Sequence, residues 1–195
     1  MRWSQPQDSC WGSAVSSWSK VARRIRVPSG FVLAGVYLWL AKPSVQSIAF
    51  GAPIMIVGLA LRGAASGELR KNEQLATTGP YAYTRNPLYL GSLIIAMGFA
   101  TAARSLWIAL AMAVIFIGIY LPVIRAEESY LAKSFPGFTD YARRVPRFIP
   151  TFTRGSRTPS SFSWQLYSKH REYNAILGSL AMIGALLAKL RWMAR

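Results

Sequence analysis

The chain has 195 residues, of which 52% are apolar and only 15% charged, with 23 Lys and Arg set against 7 Asp and Glu. Soluble domains usually carry closer to a quarter charged residues, and here the cations flank long apolar runs instead of covering a soluble face. That distribution excludes nucleic-acid binding as the leading account of the basic charge and favours a bilayer protein touching anionic lipid head groups.

The N-terminal arm, 1–26, is basic and lacks the apolar core of a signal peptide. Its Trp3, Trp11 and Trp18 suit a lipid interface. Cys10 is the only cysteine, so neither an intrachain disulfide nor a cysteine-rich metal site is expected. Five apolar segments follow, at 27–41, 45–61, 88–103, 106–124 and 173–190. A span needs about 20 residues, so the first and third depend on interfacial residues such as Arg26, Lys42, Tyr83 and Tyr89 to reach across. A re-entrant hairpin around Lys42-Pro43-Ser44 is the alternative for the first two.

Connections rich in Lys and Arg (the arm, 62–87 and 125–172) alternate with poor ones holding only Lys42 or Arg104. This predicts an all-α polytopic bundle of five spans with a cytoplasmic N-terminus and both long connections on that same side. Lys189, Arg191 and Arg195 beyond the last segment run against the pattern. The domain plan is a core over 27–150 (four spans and an interfacial helix), a linker over 151–172, and a fifth helix with a tail over 173–195. Gly51, Gly58, Gly91, Ala96, Gly98, Gly178 and Gly184 are expected to serve close helix packing.

Two polar segments carry candidate chemistry. The first, Thr77 to Gly91, has a Gly79-Pro80 turn, an Asn86-Pro87 break, three tyrosines and Arg85. Pro87 suits the first turn of a helix, whose free N–H groups favour an anionic group. The second is Arg125-Ala126-Glu127-Glu128, two of the seven acidic residues placed side by side at a span's end. Acidic groups there are functional suspects, with Arg85, Arg125 or a cationic cofactor as expected partners. Leu131 and Phe135 share a helical face with Glu128, and 135–150 reads as a short amphipathic helix ended by prolines. The residues alone support a polar cofactor or substrate site, with a purely structural Arg–Glu clamp as the competing account. His170, the lone histidine, reads as structural.

Gly-Pro-Tyr-x-Tyr-x-Arg-Asn-Pro-x-Tyr-x-Gly, two spans, then Glu-Glu, resembles the isoprenylcysteine carboxyl methyltransferase and phospholipid methyltransferase superfamily. The later Leu-x-x-x-Phe…Tyr-x-x-x-Val-Pro-x-x-x-Pro run is similar to the same family's C-terminal signature, and the likeness covers roughly 58–150. Two ordered motifs at matching separation are more specific than either alone. The resemblance implies S-adenosylmethionine in a cytoplasm-facing pocket and a lipid-like acceptor, of isoprenylcysteine type, admitted from the bilayer. Carried over by position, Tyr81, Arg85, Asn86, Pro87, Tyr89, Glu127 and Glu128 line that pocket, and Leu75 and Ala76 add backbone contacts; Arg125, beside the acidic pair, is the expected substrate contact. Arg85 then holds the cofactor's carboxylate, and a glutamate its amino group. The family's usual Arg-His-Pro is Arg85-Asn86-Pro87 here; Asn does not titrate near neutral pH, which argues against a general base at this position. The rival readings are a lipid amine N-methyltransferase, an NADPH-dependent membrane reductase of sterol-reductase type, and a non-catalytic scaffold.

Overall fold

A computed structural model describes residues 17–70, 73–151 and 162–193; Trp3, Cys10, Trp11 and the 152–161 part of the linker lie outside the described residues. Among those described, the regular structure is all helix: α1 (Ser17–Leu40), α2 (Val45–Ser66), a 3-10 turn (Gly79–Ala82), α3 (Pro87–Ala103), α4 (Leu106–Ile115), a π turn (Phe116–Tyr120), α5 (Leu121–Ser134), α6 (Phe138–Arg144), α7 (Trp164–Lys169) and α8 (Tyr173–Met193). All five apolar segments are helical. Among the described residues three helices are long and apolar enough to cross a membrane: α2, α8 and the continuous 29-residue rod Leu106–Ser134. The apolar parts of α1 (Gly30–Leu40) and α3 are shorter than a straight span requires.

The short α1–α2 connection is built from local hydrogen bonds. Ser44 caps α2 and forms a reciprocal capping box with Ser47, satisfying two backbone N–H groups that the helix start would leave bare. Lys42 N–H donates to the Ala103 carbonyl (2.9 Å) and Ser47 Oγ to the Ala102 carbonyl (2.9 Å), so this turn is tied to the end of α3. Trp39, Trp107 and Trp192 stand exposed at this end of the bundle, as an interfacial aromatic belt would. Lys189 Nζ donates to the carbonyls of Leu38 (2.6 Å) and Trp39 (2.9 Å), completing the last turn of α1. One of the basic residues that ran against the charge pattern therefore has a capping use.

Helices α2 and α3 approach closely along a glycine stripe. A Cβ at Gly58 would lie 2.7 Å from the Gly91 carbonyl oxygen, and one at Gly98 would lie 2.8 Å from that of Gly51. The spacing of seven residues on each helix puts these glycines on one seam, where backbone approach replaces the hydrophobic effect absent in lipid. Gly178 and Gly184 do not follow the packing expectation, because nothing lies within 4 Å of a Cβ built at either. Beside the stripe, Tyr37, Ile48, Met55, Ile108 and Leu186 form a buried core drawn from α1, α2, α4 and α8. Tyr37 crosses to α3, donating to the Phe99 carbonyl at 3.0 Å.

Pro122 explains the π turn. It has no N–H to give to Gly118 four residues back, and its ring would crowd that carbonyl. The helix widens by one residue instead, with Leu121 N–H donating to the Phe116 carbonyl. On the far side, α8 is moored where its first turn meets α2. Arg62 Nη2 donates to both Glu172 oxygens (2.9 and 2.8 Å) and Nε to Oε2 (3.0 Å), while Nη1 reaches Ser92 Oγ. His170 Nδ1 lies 3.1 Å from the Ser66 carbonyl, a structural placement.

Candidate cofactor site

The Gly79-Pro80 turn is shaped by a buried acid. Gly79 sits at φ +52, in the left-handed region that favours glycine. A Cβ there would run into the carboxylate of Glu68, which is only 5% exposed and accepts from Thr78 Oγ1 at 2.7 Å. The turn delivers Tyr81 into the interior, and Pro87 opens α3 as its first residue. Between them the 83–86 segment is held by a strap formed from 145–151. Arg85 N–H donates to the Pro146 carbonyl (2.9 Å), Thr84 Oγ1 to the Arg147 carbonyl (3.0 Å) and Thr151 N–H to the Tyr83 carbonyl (3.1 Å).

A polar cluster forms where the strap meets α5. Glu128, 7% exposed, accepts from Asn86 Nδ2 (2.9 Å) and from Arg147 through Nε (3.0 Å) and Nη2 (2.6 Å), and Arg85 Nη1 stands 3.5 Å away. Its hydrogen bond to Glu128 holds the Arg147 guanidinium above its ordinary pKa. Glu127 accepts from Tyr89 Oη at 3.0 Å. Arg85 Nε is buried and has no hydrogen-bond partner among the described residues.

Four of these groups border a cavity of about 270 Å³. Its polar wall is Arg85, Asn86, Glu127 and Glu128; Leu75, Ala76, Gln74 and Tyr81 come from the loop and motif; Leu131, Phe135, Phe138 and Tyr141 form an apolar floor. Of the predicted residues, Leu75, Ala76, Tyr81, Arg85, Asn86, Glu127 and Glu128 line it. Tyr89 touches it through Glu127, and Pro87 is buried behind it as a helix start. Arg125 does not join: it is exposed on α5, one turn before Glu128, and the ion pairs of Glu128 run to Arg85 and Arg147. Sequence reasoning missed Arg147, Tyr141 and Glu68. The signal for Arg147 was its place in the proline-bounded run, which returns the chain to the motif.

Tyr141 Oη donates to the buried Tyr81 carbonyl at 2.8 Å. Burial pushes the phenols of Tyr81 and Tyr141 above their ordinary value of 10.0, so both remain protonated. The unfolded chain therefore loses these protons first as pH rises, and stability should fall above about pH 10. Tyr141→Phe leaves the Tyr81 carbonyl without its donor and should cost about 1–3 kcal/mol, read as a lowered melting temperature in detergent.

A second cavity, about 330 Å³, lies among α1, α3, α4 and the π turn and is mostly apolar. Phe116 and Tyr120 are among its lining residues. The Tyr120 ring meets that of Tyr89 edge-on (6.0 Å, 79°). Tyr89 and Tyr120 thus stand between the apolar cavity and Glu127.

Residues 56–137 match the model of the phospholipid methyltransferase family. The chain is 42% identical over 91 residues to the cobalt-zinc-cadmium resistance protein CzcN of Cupriavidus metallidurans, covering 46% of this chain and 42% of that protein. It is 42% identical over 81 residues to the nickel-cobalt-cadmium resistance protein NccN of Alcaligenes xylosoxydans xylosoxydans, covering 42% and 38%. The matches thus span about two fifths of these relatives' own length. Similarity to the protein-S-isoprenylcysteine O-methyltransferase of Schizosaccharomyces pombe is 25% over 147 residues, 72% of this chain and 62% of that one. No solved structure matches.

Proposed function

We propose, from the match of residues 56–137 to the phospholipid methyltransferase family and the similarity to an isoprenylcysteine O-methyltransferase, that this chain transfers a methyl group from S-adenosylmethionine to a membrane-embedded acceptor. The observation that carries the reading is the buried Arg85 Nε at the cavity wall, which has no partner among the described residues. A buried donor left bare costs on the order of 1–3 kcal/mol, and a carboxylate ligand would relieve it. The cofactor's methionine moiety has one. Glu127 fits its ammonium group, while Glu128, already bonded to Arg147, Arg85 and Asn86, orients the cationic wall. Tyr81 and the apolar floor suit the adenosine.

When bound, the cofactor supplies an electrophilic methyl group on a cationic sulfur. A carboxylate acceptor is already ionised and needs no base, which agrees with Asn86 where the family has His. The residues then act by positioning and by excluding water. We take the acceptor to be an isoprenylcysteine-like acid that reaches Glu127 past Tyr89 and Tyr120, on the cytoplasmic side. A lipid amine would instead have to give up a proton, for which Glu127 is the nearest acceptor. Two relatives are named for metal resistance; among the described residues no group of three His, Cys, Asp or Glu is placed to hold a metal ion.

Calorimetry on detergent-purified protein tests the cofactor. S-adenosylhomocysteine should bind and NADPH should not, and Arg85→Ala should abolish binding. NADPH binding alone would make the chain a reductase; binding of neither would leave the scaffold reading.

A further inference from the structure

Glu68 is buried and lies outside the lining of the 270 Å³ cavity, although its neighbours Leu69 and Arg70 belong to that lining. It sits between two glycine notches. On one side its carboxylate fills the space a Cβ would need at Gly79 and accepts from Thr78 Oγ1 at 2.7 Å. On the other, a Cβ at Gly67 would run into the Phe162 ring. Gly67 has an ordinary helical φ of −70, so its backbone conformation does not call for glycine. The close approach of Phe162 does.

Phe162 opens a segment that caps α2. A helix end leaves carbonyls without intrahelical partners, and this segment meets two of them. Ser163 N–H donates to the Gly67 carbonyl at 2.8 Å, and His170 Nδ1 lies 3.1 Å from the Ser66 carbonyl. That carbonyl can only accept, so Nδ1 carries the proton. The Tyr167 ring lies 3.6 Å from a Cβ built at Gly63, and the Arg62–Glu172 ion pair closes the segment onto α2. All of 162–172 lies beyond the family-matched residues 56–137. The last turn of α2 is thereby fixed directly before Glu68, and Glu68 fixes the turn that carries Tyr81 to the cavity.

We infer that segment 162–172 is a brace for the cofactor turn, acting through Gly67, Glu68 and Thr78 on Tyr81. The inference rests on the reading of the adjoining cavity as the cofactor site. Phe162 and Thr78 are positioning residues: neither lines the cavity, and each acts through Tyr81. Cofactor affinity then depends on a part of the chain that lies outside the matched family segment.

Hydrogen exchange on the full-length protein in detergent tests the brace without a ligand. The N–H groups of Tyr81, Tyr83 and Thr84 close the turn onto the carbonyls of Thr78 and Pro80. In Phe162→Ala they should exchange about tenfold faster than in the wild type. In Gln165→Ala, an exposed position of α7, they should keep the wild-type rate. Unchanged exchange in Phe162→Ala overturns the inference. Calorimetry with S-adenosylhomocysteine separates one shared device from two independent defects. Phe162→Ala and Thr78→Val should each raise Kd by about tenfold, and the double variant by little more, because both break one chain of contacts. Thr78→Ser, which keeps the hydroxyl, should bind like the wild type. A double-variant loss near the product of the two, about a hundredfold, overturns the inference. Absence of S-adenosylhomocysteine binding by the wild type defeats the methyltransferase reading alone, and the exchange result then decides the brace.

Discussion

Glu128→Ala should collapse the candidate site, whereas Glu127→Gln should leave the fold intact and weaken cofactor binding. The two residues are adjacent, yet their surroundings assign them different work. Glu128 is buried against two arginines and an amide. Removing it leaves Arg85, whose side chain is 16% exposed, uncompensated, and breaking a buried pair costs about 3–5 kcal/mol. The value belongs at the lower end, because Arg147 is 38% exposed and water can take over its charge. Glu127 keeps its Tyr89 bond in the Gln variant, and only the charge is lost. A charge-assisted bond to an ammonium group is worth about 1.5–3 kcal/mol, so Kd for S-adenosylhomocysteine should rise about tenfold to a hundredfold. Thermal unfolding in detergent and calorimetry separate the two results. Equal melting-temperature losses in both variants would refute the division of roles.

Gly58→Leu should be the most damaging single change in the spans. Its Cβ would stand 2.7 Å from the Gly91 carbonyl and 2.8 Å from Ile95, so α2 and α3 must part along their whole seam. Overpacking of side chains alone costs about 1–3 kcal/mol, and here backbone atoms cannot yield by changing rotamer. Gly184→Leu, in open space on α8, should stay within about 0.5 kcal/mol of wild type. Size-exclusion profiles and melting curves of the two variants check the contrast. Similar behaviour would mean that the stripe does not hold the helices together.

These two cases also mark how far the sequence is readable. The apolar runs locate five helices because their length and composition leave few other solutions in a bilayer, and Gly-Pro and Asn-Pro mark the motif because turn chemistry is local. The glycines read alike in sequence, yet Gly51, Gly58, Gly91 and Gly98 pack while Gly178 and Gly184 do not. Which face of a helix meets a neighbour is a tertiary fact. Arg125 offered itself as a partner of Glu128 at a spacing of three, but the charge is met by Arg147, nineteen residues on, because the proline-bounded strap folds back over the motif. Glu68 was illegible for the same reason: its meaning depends on Gly79, eleven positions away and in a left-handed turn.

The π turn at Phe116–Tyr120 sets a rotational phase. Each residue advances a helix by about 100°, so the extra residue there turns everything after it relative to everything before it. Met112 and Ile115 on one side border the 330 Å³ apolar cavity, and Glu127 and Glu128 on the other border the polar cavity. The orientation of one set against the other is therefore set by the count of residues between them, including the one that Pro122 adds to the turn. Every contact residue in this rod could be kept unchanged, and a one-residue deletion between the two sets would still point them in the wrong directions.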